Sequence, residues 1–115
     1  MQKVLREPWG PRARSSIERL VAKPPVTTVT ASCTIDADAG TILADATAGA
    51  VTITLPAVAD SEGFTIIVKK IDASGNAVTV DGNGSETIDG AATKATSTQY
   101  ASFTYTCNGA AWFIV

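Results

Sequence analysis

Carboxylates, amines and thiols are the side chains through which this chain could do chemistry, because it contains no histidine. That absence removes Ser-His-Asp and Cys-His nucleophile activation and every zinc site that uses imidazole. Cys33 and Cys107 alone do not complete a structural zinc site. The run Asp36-Ala37-Asp38-Ala39-Gly40 opens like a calcium loop, with oxygens at alternate positions. The position that should carry the bidentate glutamate is Thr47, so no metal is expected there. Gly82-Asn83-Gly84 begins a dinucleotide fingerprint, but Thr87 stands where the third glycine belongs and no helix pattern follows. The acids beside glycine and asparagine are expected to serve turns and solubility, since nothing next to them would perturb a pKa. Lys69-Lys70 closes a strand pattern and is expected to be solvated. Tyr100, Tyr105 and Trp112 could line a sugar groove, but at strand spacing they are expected in the core. Catalytic, cofactor and metal residues are therefore expected to be absent.

The elements that carry these residues are short. From Val26 onward, runs rich in Val, Ile, Thr and aromatics alternate with turn residues about every ten positions. Ala50 to Leu55 is the plainest strand, with Val51, Ile53 and Leu55 on one face, Thr52 and Thr54 on the other, and Pro56 as the stop. Phe64 to Ile71 contains the unbroken run Ile66-Ile67-Val68, which predicts cover on both faces. Further strands are predicted over Val26 to Thr34, Thr41 to Asp45, Ala77 to Asp81, Glu86 to Asp89, Thr98 to Cys107 and Ala111 to Val115. The intervening Gly/Asn/Asp turns lead to an all-β fold, an antiparallel sandwich or barrel. Large apolar side chains are few for such a body, and self-association would add buried area. Trp112-Phe113-Ile114-Val115 must be covered by its own sheet or by a neighbour.

Charge divides the chain. Residues 1 to 25 hold six cations against two acids; residues 26 to 115 hold three cations against nine acids. A basic, Pro-rich arm of +4 thus precedes an acidic body of −6. Ser15-Ser16-Ile17-Glu18 fits a helix capping box, and Ile17, Leu20 and Val21 share one face before Lys23-Pro24-Pro25 ends the turn. A helix of about two turns is marginal alone and needs a surface, either its own body or a partner. The arm lacks the dense Lys/Arg runs of nucleic-acid tails, so no nucleic-acid partner is expected. No secretory signal is visible over Met1 to Pro11, and the longest apolar stretches fall well short of the roughly 20 residues that span a bilayer, so no membrane partner is expected either. Synthesis in the cytoplasm predicts that both cysteines remain thiols, with a bridge between Cys33 and Cys107 as the alternative.

Several blocks occur in a characteristic order: Thr41-Ile42-Leu43-Ala44-Asp45-Ala46-Thr47-Ala48-Gly49-Ala50-Val51-Thr52-Ile53-Thr54-Leu55-Pro56, Ile66-Ile67-Val68-Lys69-Lys70-Ile71-Asp72, Asn76-Ala77-Val78-Thr79-Val80-Asp81-Gly82, Glu86-Thr87-Ile88-Asp89-Gly90 and Trp112-Phe113-Ile114-Val115. In this order they resemble a β-module of tailed-bacteriophage virion proteins, found in tail fibres and in head-decoration or head-fibre proteins. The resemblance covers about residues 35 to 115. It implies a trimeric β-sandwich or jelly-roll-like knob without enzymatic activity. A short arm leading directly to a knob, with no long shaft, leads to the expectation of a capsid decoration or cement protein. In that reading residues 1 to 30 form the docking arm and 31 to 115 the knob. Arg6, Trp9, Arg12, Arg14, Ile17, Arg19 and Leu20 would contact the major capsid protein, with Trp9 as anchor. The location would be the capsid surface of the virion. The rival expectation is a tail- or fibre-associated receptor or carbohydrate-binding module, with a host-surface glycan at the turns from Asp81 to Asp89.

Overall fold

A computed structural model describes residues 24 to 115, which form an all-β fold of two packed sheets. The predicted arm helix and Arg6, Trp9, Arg12, Arg14, Ile17, Arg19 and Leu20 lie outside the described residues. The strands are β1 Val26–Val29, β2 Cys33–Thr34, β3 Thr41–Ala44, β4 Val51–Thr54, β5 Thr65–Lys70, β6 Val78–Asp81, β7 Thr93–Thr96, β8 Ser102–Cys107 and β9 Trp112–Ile114. One sheet has the order β1-β3-β5-β8-β9 and the other β2-β4-β6-β7. Pairing begins at Val26, within the stretch assigned to the arm.

The sheets are mixed, which corrects the antiparallel expectation. β1, β3 and β5 pair in parallel, as do β2, β4 and β6; only β5-β8, β6-β7 and β8-β9 are antiparallel. The reason is where the turns send the chain. Asp38-Ala39-Gly40 and Ala73-Ser74-Gly75-Asn76 carry it from one sheet to the other, so each strand returns beside its predecessor in the same direction. Cys107-Asn108-Gly109-Ala110 makes the hairpin that its composition suggests, between β8 and β9, with Asn108 Oδ1 accepting from Ala110 N at 2.9 Å and Ala111 N at 3.0 Å.

The alternating pattern builds the core as read. Val51, Ile53 and Leu55 are buried against Ile42, Ile66, Val68, Val78 and Val80, with Tyr105, Cys107 and Trp112 closing the far side. Trp112 is fully buried, and its indole Nε1 donates to Pro56 O at 3.4 Å. The predicted strand Val26 to Thr34 is two strands, split where the chain crosses between sheets. Glu86 to Asp89 is not a strand; Ile88 makes isolated bridges to Ala91 and Trp112. β7 escaped the sequence reading because Thr-Lys-Ala-Thr has no apolar alternation; as an exposed edge strand it is held by backbone pairing to β6. The run Ile66-Ile67-Val68 does not have cover on both faces within the chain. Ile66 and Val68 are buried, whereas Ile67 is 36% exposed, because strand period outweighs local hydrophobicity.

Candidate functional site

The arm joins the body at the open end of the sandwich. Thr41 N donates to Pro25 O at 3.0 Å, which fixes Pro24-Pro25 against the start of β3. Gly40, at φ +71°, lies so close beneath Pro25 that a Cβ there would collide with the Pro25 carbonyl oxygen. Beyond this root no further strand among the described residues covers β1 and β2. The two sheets therefore gape around a groove of about 650 Å³, lined on its apolar walls by Val29, Cys33, Ile35, Ile42 and Phe64. Asp36 and Asp38 stand at its rim, both exposed. The sequence alone does not reveal this groove, since its lining residues read as ordinary core positions. Only the strand order shows that β1 and β2 are terminal strands.

A second cluster ties three turns together at the other end of β5. Lys70, expected to be solvated, is fully buried, because its place in the alternation of β5 points it into the sandwich. Its Nζ donates to Asp72 Oδ2 at 2.7 Å. Asp72 also accepts from Ala46 N at 2.8 Å through Oδ1, and from Ser74 N at 3.1 Å and the Ser74 hydroxyl through Oδ2. Asn76 Nδ2 donates to Ala46 O at 2.8 Å, and the Lys70 backbone pairs with Tyr100 N at 2.7 Å and Ala101 O at 3.0 Å. The Lys70 ammonium and the Ser74 hydroxyl together hold the Asp72 carboxyl well below the usual carboxylate range. The ion pair occupies the Lys70 ammonium, so the cluster locks the β3-β4, β5-β6 and β7-β8 turns to one another. Its sequence signature is the i, i+2, i+4 spacing of Lys70, Asp72 and Ser74 leaving a strand.

The other sequence-predicted features fall in separate places. Asp36 and Asp38 assemble no metal shell, and no group of three or more Cys, Asp or Glu among the described residues is arranged to hold an ion. Tyr105 and Trp112 are core residues, as expected; burial pushes the Tyr105 hydroxyl up to about 12, with the nearby Asp89 charge adding to the effect. Tyr100 departs from the core expectation, being 60% exposed at a left-handed φ of 67° in the turn before β8. The three aromatics therefore line no common groove. Two of the acids from Asp81 to Asp89 hold backbone: Glu86 accepts from Val58 N at 3.0 Å and Asp89 from Ile114 N at 3.2 Å. Cys33 and Cys107 are both free, Cys33 half-buried and Cys107 buried. Among the described residues no helix is long and apolar enough to cross a membrane.

No protein-family model matches the chain, and no curated protein matches it.

Proposed function

We propose that this chain is a non-enzymatic structural protein of a tailed-bacteriophage virion, a homotrimeric decoration (cement) protein held on the outer capsid surface by its N-terminal arm. The observation that carries this reading is the division of charge: an arm of +4 joined to a body of −6. The ordered blocks that resemble virion β-modules give it its setting. The two-layer body serves as the jelly-roll-like knob in outline, although its first strands run in parallel.

Arg6, Arg12, Arg14 and Arg19 pair with carboxylates of the major capsid protein, where guanidinium forks gain geometric specificity. Trp9 is the apolar anchor, and Ile17 and Leu20 present one face beside it. Three arms on one knob bind with avidity, so each arm needs only modest affinity. The acidic body is repelled by an acidic lattice and projects away from it. No cofactor enters this function. The glycan-binding alternative would place its ligand at the turns from Asp81 to Asp89, and saturable binding on a glycan array would favour it over the capsid reading.

Co-sedimentation with purified heads lacking the protein tests the reading. Full-length protein should saturate the heads, and Trp9→Ala should weaken binding roughly 30-fold, the range of an interface hot spot. Replacing Arg6, Arg12, Arg14 and Arg19 by glutamine should weaken it further and flatten its salt dependence. Full decoration by both variants would overturn the proposal.

A further inference from the structure

Each sheet turns one face to the core and the other away from it, and the two outward faces differ. On the four-stranded sheet the outward positions of β2, β4, β6 and β7 are threonines with Asp81 and Ala95, and none is a large apolar residue. On the five-stranded sheet the register sets Val26, Thr41, Ile67 and Thr104 in one row across four strands, and Val115, the residue after β9, joins it through its N–H to Thr104 O at 3.0 Å. Phe113 lies beside this row next to Thr106, and Leu43 lies on its other side next to Lys69. Val26 is 65%, Ile67 36%, Phe113 41% and Val115 77% exposed. Apolar side chains gathered with threonines on one sheet face, and absent from the other, mark an association surface rather than scattered exposure.

We propose that this outer face of the five-stranded sheet is where three copies of the chain meet around a common axis. The inference rests on the homotrimer reading and assigns it a surface. Charge selects a second copy as the occupant. The five strands that form this face carry no acidic residue, whereas a body of −6 brings carboxylates together when copies meet through other surfaces. Lys69, the charged side chain on the face, donates to Tyr100 O at 3.2 Å and sits 5.5 Å from the centre of the Tyr100 ring. The number, three, is taken from the homotrimer reading. The threonines between the apolar residues are β-branched and pack well on a pleated surface.

Size-exclusion chromatography with light scattering of the full chain tests this, using Ile67→Glu on the face and Ala95→Glu as the same charge on the opposite sheet. Wild type and Ala95→Glu should run at the trimer mass. Ile67→Glu should fall to one third of it while keeping the wild-type circular dichroism and a cooperative melt. Should Ile67→Glu fail to fold, Phe113→Glu, at the exposed edge strand β9, carries the same expectation. A trimer that persists in the folded face variant overturns this surface and leaves the homotrimer standing. A wild-type monomer across the concentration range overturns both, and a wild-type dimer overturns the three-fold arrangement. A face variant that stays trimeric but loses heads would assign the face to the capsid instead, which also overturns the proposal.

Discussion

Asp72 accepts hydrogen bonds on both carboxylate oxygens and pairs with a fully buried lysine, so the cost of its protonation falls on three turns at once. Its folded pKa lies below the unfolded value near 4. The stability it contributes is therefore complete above about pH 5 and is lost as pH falls through and below the usual carboxylate range. Asp45, lowered by its hydrogen bonds to Thr47, acts in the same direction. Thermal melts from pH 7 to pH 2.5 should show the midpoint dropping in acid. Asp72→Asn should be less stable than wild type at pH 7 and show a shallower acid drop; an unchanged acid slope would contradict the role given to this cluster. The cysteines differ in the same residue-level way. A maleimide should label Cys33 in the folded protein, while Cys107 should react only after unfolding, and equal native labelling would contradict the buried position of Cys107.

At the scale of elements, β9 contributes the largest fully buried side chain of the body. Trp112 is its fully buried member and reaches across to Pro56, so Trp112→Ala should cost about 3–5 kcal/mol by denaturant unfolding. Gly82, after β6, has the backbone oxygen of Glu86 where a Cβ would stand, and Gly82→Ala should cost about 1–3 kcal/mol in the same assay. Strand positions were legible from apolar runs bounded by turn residues: β3, β4, β5, β6, β8 and β9 lie within their predicted runs. Direction was not legible, because a Gly/Asn turn looks the same whether it closes a hairpin or crosses between sheets. Lys70 was misread for a related reason: its type says solvent, but its position on β5 says core, and Asp72 makes that position tenable. The groove between β1 and β2 depends on strand order, which pairs residues distant in sequence.

At the scale of the whole molecule, a basic arm joins an acidic two-sheet body whose five-stranded sheet carries no acidic residue in its strands. The arm roots at Pro24-Pro25, where Pro25 still serves the fold by accepting from Thr41 N. A truncation should therefore end before Pro24, and a chain beginning there should retain the β spectrum and the oligomeric mass of the full protein while losing heads. Head attachment through the arm is the central claim, and its most direct test is a cryo-electron-microscopy reconstruction of heads saturated with the full-length protein. Density for residues 1 to 23 should run along the major capsid protein, with the Trp9 side chain seated in a pocket of that subunit and the body standing outward. Density showing those residues packed against their own body, in contact with no capsid subunit, would contradict it.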